Sequence, residues 1–217
     1  MGLKINEIFF SIQGESSYAG LPCVFIRLAG CNLRCSYCDT RYAYAEGRTY
    51  EIPEILECVK QIGCRLIEVT GGEPLLQEQT PALISGLLGV GYSVLLETNG
   101  SLDIGSVDPD CARIVDIKCP SSGMETKNDL RNMEKLSPKD ELKFVIGCRD
   151  DYQFAKDFLS TLHRTRSATR ETGAGFSPVF GTLAPRALAE WILEDRLPVR
   201  LNLQLHKLIW DPDTRGV

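Results

Sequence analysis

Cys31, Cys35 and Cys38 stand in the spacing C-x3-C-x2-C inside Ala29-Gly30-Cys31-Asn32-Leu33-Arg34-Cys35-Ser36-Tyr37-Cys38-Asp39-Thr40. Thiolates are soft anionic ligands suited to iron–sulfur clusters or zinc. Three of them on one short loop require the fold to wrap that loop around a single inorganic centre. A 4Fe–4S cluster normally takes four cysteines, so three leave one iron open to a ligand that is not protein. Structural zinc sites are usually closed by a fourth ligand and favour paired C-x2-4-C units. No second pair follows, since Cys58, Cys64, Cys111, Cys119 and Cys148 are scattered. Ordinary buried thiols are a further reading, because free cysteine is among the most buried residues. The polar, turn-like segment between the three speaks against it.

The 217 residues suffice for one core and are short for two. No internal repeat or linker interrupts them, so the expectation is a single domain, 1–217. A content of 43% hydrophobic and 24% charged residues is that of an ordinary soluble globular protein. The net charge of −5 gives no general attraction to nucleic acid or to membranes. Nine cysteines without disulfide-like spacing point to a reducing compartment. The first residues, Met1 to Glu7, lack a basic region followed by an apolar core, so no signal peptide is expected. Glu7 spoils a myristoylation pattern, and no apolar run approaches a membrane span. A cytoplasmic protein is expected.

Strands and helices alternate along the chain. Residues 5–11 and 23–29 read as strands, separated by the polar, glycine-bearing loop 11–17. Alternation along 23–29 sends Val24, Ile26 and Leu28 to one face and Phe25, Arg27 and Ala29 to the other. Arg27 is an odd guest there, either half of a structural ion pair or a planar fork for a substrate carboxylate. Ile52, Ile55, Leu56, Val59 and Ile62 share a helical face, which Gly63 ends. Strands are expected at 65–70, 92–97, 113–118, 141–146, 176–180 and 199–205. Helices are expected at 80–88 (Pro81 suiting its first turn), at 129–136, along Tyr152, Ala155, Leu159 and Leu162, and along Leu188, Trp191 and Ile192. Residues 163–175 read as a basic loop.

Such βα alternation implies a mainly parallel sheet with right-handed crossovers. Too few βα units are present for a closed eight-stranded barrel, so the expected fold is α/β, a partial (β/α) barrel open on one side. In these folds ligands bind at the carboxyl ends of the strands. Cys31, Cys35, Cys38, Gly72, Glu73, Asn99, Lys118 and Ser121 follow strands and should share one rim. His206 closes the last strand, which leaves a structural or a site role open. The stretch 141–145 reads as structural.

The cysteine triad, followed after a strand by Thr70-Gly71-Gly72-Glu73-Pro74, resembles the radical S-adenosylmethionine (SAM) superfamily. The resemblance implies that the open iron chelates SAM and that reductive C–S cleavage gives a 5′-deoxyadenosyl radical. It also implies that the glycine-rich turn and Glu73 meet the methionine amino group, and that Tyr37 packs near the adenine. Glu97-Thr98-Asn99-Gly100 and Asp116-Ile117-Lys118 resemble SAM-contacting or barrel-lining positions.

A narrower likeness rests on Phe10-Ser11-Ile12-Gln13-Gly14-Glu15-Ser16, Gly20 to Leu28, Cys38-Asp39-Thr40, Pro120 to Met124, Ser177-Pro178-Val179-Phe180 and Leu203-Gln204-Leu205-His206-Lys207. These resemble the 7-carboxy-7-deazaguanine synthase (QueE) family over nearly the whole chain. The resemblance implies a lyase in queuosine (7-deazapurine) biosynthesis that acts on 6-carboxy-5,6,7,8-tetrahydropterin with loss of ammonia. It implies a 4Fe–4S cluster on Cys31, Cys35 and Cys38, and SAM near Tyr37, Cys38, Asp39, Gly72, Glu73, Asn99, Asp116, Ile117, Lys118, Ser177, Pro178, Val179 and Phe180. It places the pterin on Ile12, Gln13, Gly14, Glu15, Arg27 and Thr70, and Mg2+ on Thr40. An electron donor such as flavodoxin or ferredoxin and a homodimer are also implied. Two other classes compete: a glycyl-radical activase of the same superfamily, which would need a peptide groove, and a zinc-binding module without catalysis.

Overall fold

The computed structural model describes residues 2–165 and 172–217. One sheet of nine strands runs through it in the order β3-β1-β2-β4-β5-β6-β7-β8-β9. The strands are β1 (Leu3–Ile12), β2 (Pro22–Leu28), β3 (Arg48–Tyr50), β4 (Leu66–Gly71), β5 (Ser93–Thr98), β6 (Ala112–Ile117), β7 (Glu141–Ile146), β8 (Gly173–Pro178) and β9 (Arg200–Leu201). From β2 to β9 every pairing is parallel. At the start, β1 pairs antiparallel with both β2 and β3. β3 and β9 remain as edges, so the sheet stays open as a partial barrel.

Strand parity sorts the side chains. On the outer face Val24, Ile26, Leu28, Ile67, Val69, Val94 and Leu96 form one apolar core. It lies under α1 (Ile52–Ile62) and α2 (Thr80–Gly89). Val115, Ile117, Leu142, Phe144 and Ile146 form a second, under α3 (Arg149–Thr165) and α4 (Pro185–Asp195). Burying each such side chain contributes roughly 1.5–3 kcal/mol, so these two cores bind the helices to the sheet. α1 starts at a reciprocal capping box between Glu51 and Glu54 and ends at Gly63, whose φ of 77° is the left-handed conformation that glycine adopts without steric cost. On the inner face, Leu95, Ala112 and Ile114 form a small apolar plug. Beyond it the inner positions become polar and open into the site.

Three expectations change, and one strand is added. The segment 48–50 forms a strand too short to show alternation, held at the edge by Leu3, Lys4 and Ile5 of β1. Of the strand expected at 199–205 only Arg200–Leu201 pairs. The chain then leaves the sheet and crosses back to the β1–β2 connection, where Leu205 N donates to Gly14 O at 3.1 Å. A short helix, α5 (His206–Ile209), follows. The segment 129–136 is 3-10 helix over Leu130–Lys135. Of the basic loop expected at 163–175, residues 163–165 continue α3 and Gly173 to Gly175 begin β8, while 166–171 lie outside the described residues. Gly175 sits in a strand because a Cβ there would meet Asn202 Nδ2 at 2.3 Å.

A buried ion pair lies on the outer side of β6. Asp140, on the turn before β7, accepts from Arg113 N (2.8 Å), Arg113 Nη2 (2.6 Å) and Ser137 N (2.7 Å). Burial raises the Asp140 carboxyl, but these donors more than offset it and hold it below its ordinary 3.8. Asp140→Ala is therefore expected to cost about 3–5 kcal/mol, because Arg113 is left buried and unpaired. A carboxyl depressed on folding stabilises above its unfolded value and loses that contribution as pH falls through the folded one. In anaerobic urea titrations the wild-type advantage should be complete above pH 5 and shrink below about pH 4.

Candidate active site

A cavity of about 820 Å³ opens at the carboxyl ends of the parallel strands. Its wall includes the three cysteines, the β1–β2 loop at Ile12, Gln13, Gly14 and Glu15, and Arg27, Tyr37, Asp39, Thr40, Thr70 and Gly72. Asn99, Asp116, Lys118, Val179 and Phe180 complete the residues expected from the sequence that reach it. Five of the expected residues do not line it: Glu73, Ile117, Ser121, Ser177 and Pro178. Ile117 points to the outer face and lies in the apolar core.

Glu73 is fully buried. Its carboxylate accepts from Leu75 N (2.9 Å), Thr98 Oγ1 (2.8 Å) and Asn99 N (2.7 Å). It therefore caps the turn after β4 and ties it to the end of β5, with no oxygen turned to a ligand in the cavity. The glycines before it are required by chain packing. A Cβ on Gly71 would lie 2.2 Å from Leu28 O, and one on Gly72 would lie 2.1 Å from Gly30 O. The backbone approach that the sequence implied for a ligand is an approach to the cluster loop itself.

Arg27 satisfies part of each reading of it. Its Nε donates to Glu7 at 2.8 Å, and its guanidinium lies 5.5 Å from the centroid of the Phe9 ring, which stacks on Phe25. It also faces the cavity. Tyr42 OH donates to the same Glu7 oxygen at 3.2 Å. Thr40 precedes the 3-10 turn Arg41–Tyr44 but makes no side-chain cap bond. Its hydroxyl lies 3.8 Å from Cys38 Sγ, so a capping role is not what the residue performs.

Glu97 lines the cavity as the barrel-lining reading expected, whereas Glu68 escaped the sequence reading and Lys143 belongs to the stretch that was read as structural. Glu68, Glu97 and Lys143 stand at inner positions of β4, β5 and β7. Lys143 Nζ donates to Glu15 Oε2 and Glu97 Oε1, both at 2.6 Å. Gln13 Oε1 accepts from Glu15 N at 2.9 Å, which leaves its Nε2 to donate to Glu68. Burial drives the Glu68 carboxyl well above its usual range, and Glu97 adds to this. Burial also raises Glu97, but Lys143 reverses it and the net direction is down. Lys143 itself is raised well above the usual range, since Glu15 and Glu97 outweigh its burial. Strand parity carried the signal: Glu68 lies two residues before Thr70, and Lys143 pairs in register with Asp116.

The chain end completes the mouth. His206 packs on Gly14, where a Cβ would meet its Nδ1 at 2.6 Å. Burial lowers the imidazole below its ordinary 6.5, so it is neutral at pH 7. Lys207 Nζ donates to Asp39 at 2.5 Å, which outweighs burial and keeps that carboxylate below its usual range.

The profile of the Radical SAM superfamily matches residues 25–120. The chain is 49% identical to the 7-carboxy-7-deazaguanine synthase of Chlorobaculum tepidum, over 99% of this chain and 97% of that one. It is 44% identical to the 7-carboxy-7-deazaguanine synthase of Koribacter versatilis, over 99% and 100%. Among solved structures, QueE from Escherichia coli superimposes with a TM-score of 0.76 at 23% identity, covering 94% of both chains. That likeness concerns the fold. The chain belongs to the 7-carboxy-7-deazaguanine synthase family.

Membership in this radical SAM family implies a 4Fe–4S cluster and SAM, and the donor set fits both. Among the described residues no three His, Cys, Asp or Glu side chains converge on one ion. That does not suit mononuclear zinc, whereas a cluster takes each thiolate on a separate iron. Burial raises the Cys31 and Cys35 thiols, so bound iron is needed to hold them as thiolates. Leu33 N (3.4 Å) and Asn99 Nδ2 (3.8 Å) donate to Cys31 Sγ, the kind of contact that tunes a cluster's potential. Tyr37 OH, Asp116 Oδ1 and Ser177 Oγ are buried without a partner. Asp116 and Tyr37 line the cavity, and a polar cofactor there would supply the missing bonds. The other Asp116 oxygen takes Lys118 Nζ at 2.7 Å.

Cys31→Ala, Cys35→Ala and Cys38→Ala should each lose the cluster and all SAM cleavage. Cys58→Ala, Cys64→Ala, Cys111→Ala and Cys148→Ala should keep both. Iron content and visible absorption after anaerobic reconstitution, with quantified 5′-deoxyadenosine, test this.

Proposed function

We propose that the chain converts 6-carboxy-5,6,7,8-tetrahydropterin to 7-carboxy-7-deazaguanine with loss of ammonia, a step of queuosine biosynthesis. The observation that carries this is the 49% identity to the Chlorobaculum tepidum 7-carboxy-7-deazaguanine synthase along 99% of the chain. When bound, the cluster and SAM supply the radical that takes hydrogen from C6 of the pterin. The protein supplies orientation and exclusion of water. Gln13, Gly14, Glu15 and Thr70 face the ring, and Ile12 borders it. The Arg27 guanidinium, steadied through Nε by Glu7, grips the substrate carboxylate with its remaining nitrogens. Thr40 Oγ1 would contribute to a Mg2+ site completed by substrate and water oxygens, because magnesium is a hard cation that retains several waters and one hydroxyl alone binds it weakly.

The proposal includes one domain, a homodimer and a one-electron donor of the flavodoxin or ferredoxin type, all on family likeness. No helix among the described residues is long and apolar enough to cross a membrane. The direct test is product mass after anaerobic incubation with SAM, reductant and the tetrahydropterin. Absence of 7-carboxy-7-deazaguanine from cluster-loaded enzyme would refute the proposal.

Arg27→Lys should raise KM for the tetrahydropterin by at least about tenfold, since lysine cannot reproduce a bidentate fork, with a smaller change in SAM affinity. Equal loss of both, with a lower Tm, would leave only the ion pair to Glu7. Thr40→Ala should reduce the coupling between Mg2+ and pterin binding, while Thr40→Ser retains most of it. Pterin affinity measured with and without Mg2+ in the three proteins decides, and an unchanged magnesium effect in Thr40→Ala removes the ligand role.

A further inference from the structure

Above the apolar plug, the cavity floor carries Glu15, Glu68, Glu97 and one lysine. Lys143 Nζ lies 2.6 Å from a carboxylate oxygen of each of Glu15 and Glu97, and the Lys143 residue is only 7% exposed. Both precede it in the chain, Glu15 by 128 residues on the β1–β2 loop and Glu97 by 46 on β5. Two carboxylates can be held together in a dry site only by an intervening cation or proton. The lysine therefore sets the geometry of the pair.

The unfilled bonds show what the pair awaits. Glu97 Oε1 takes Lys143, and its Oε2 takes Thr70 Oγ1 at 3.4 Å. Glu15 Oε2 takes Lys143, but Glu15 Oε1 is buried with no partner. Glu15 lines the cavity, so this orphan is an acceptor without a donor. A buried acceptor left unpaired is costly, and a ligand that satisfies it must bring an N–H or O–H. The substrate read above carries N–H donors on its 2-aminopyrimidinone edge and at ring N5 and N8, and the 2-amino edge is the one farthest from the 6-carboxylate that Arg27 takes.

We propose that Lys143 is a positioning residue for substrate specificity, holding Glu15 so that its free oxygen accepts from the 2-amino edge of the pterin and rejects a 2-oxo edge. Lys143 touches neither the cofactor nor the reacting carbon in this arrangement. Its ammonium acts through Glu15 and is locked on the far side by Glu97. Gln13 supports the same wall, since its carbonyl is fixed by Glu15 N and its amide by Glu68. The inference rests on the tetrahydropterin reading of the cavity.

The test compares kcat and KM for 6-carboxy-5,6,7,8-tetrahydropterin and for its 2-oxo counterpart, 6-carboxytetrahydrolumazine, in cluster-loaded wild type, Lys143→Met and Lys143→Arg, with SAM affinity measured alongside. Wild type should prefer the 2-amino compound by at least about a hundredfold in kcat/KM, as sites built to bond a substrate N–H do. Lys143→Met should raise KM for the pterin more than it lowers kcat and should shrink the preference at least tenfold. Lys143→Arg should fall between, because it keeps the charge but not the point geometry. A wild-type preference retained in Lys143→Met, or an equal loss for both compounds together with lost SAM affinity, would overturn the inference. If Lys143→Met does not fold, Lys143→Arg decides: an intermediate preference supports the role and an unchanged one removes it. Wild type that turns over neither compound refutes the proposed function itself, whereas turnover of the pterin with no change in preference refutes only the role of Lys143.

Discussion

Two backbones meet where the turn after β4 crosses the end of β2, and the site is built outward from that crossing. Gly72 N donates to Leu28 O at 3.1 Å and Glu73 N to Gly30 O at 2.8 Å. No side chain fits at Gly71 or Gly72, since the chains are in contact there. The contact fixes where the loop of Cys31, Cys35 and Cys38 leaves the sheet. Glu73 extends the same joint to β5 through Thr98 and Asn99. Asn99 then reaches back to Cys31 Sγ and Asn32. A loop that must hold three thiolates apart around one inorganic centre is thus braced from two strands by backbone and a buried carboxylate. Bracing of this kind is what an orienting site requires, because small displacements cost large factors in rate.

Charge inside the curl follows a second constraint. Burial penalises every ionised group there, and each cation answers it by pairing with a carboxylate. Lys143 bridges Glu15 and Glu97, and Lys118 takes Asp116. At the mouth, Arg27 takes Glu7 and Lys207 takes Asp39. Glu68 has no cation in hydrogen-bond contact among the described residues, and burial pushes it toward the neutral acid. The interior is therefore polar, with its charged side chains each hydrogen-bonded to a neighbour. Of the atoms left without partners, those on Tyr37, Glu15 and Asp116 belong to residues that line the cavity and mark where a ligand would complete the network.

Much of this was legible along the chain. The cysteine spacing identifies the centre, βα alternation identifies an open parallel sheet, and the parity of residues 23–29 separates Val24, Ile26 and Leu28 in the core from Phe25 and Arg27 in the cavity. Lys143 could have been found by the same parity, but one lysine in an apolar stretch reads equally well as a solvated edge. The strand at 199–205 was overestimated because apolar alternation records burial and not pairing. After Leu201 those residues are partly buried against the site mouth.

By itself the sequence determined the kind of chemistry and the rim on which it occurs, because ligand type, spacing and strand order are local or periodic properties. Only the tertiary structure decided the direction in which each rim residue points. Glu73 and Glu97 both lie at strand ends and carry the same group. One is spent inside the joint beneath the cluster loop, and the other faces the cavity. The difference arises from which backbone amides and cations lie within 3 Å of each carboxylate, and those neighbours are brought there by residues 26 and 46 positions away.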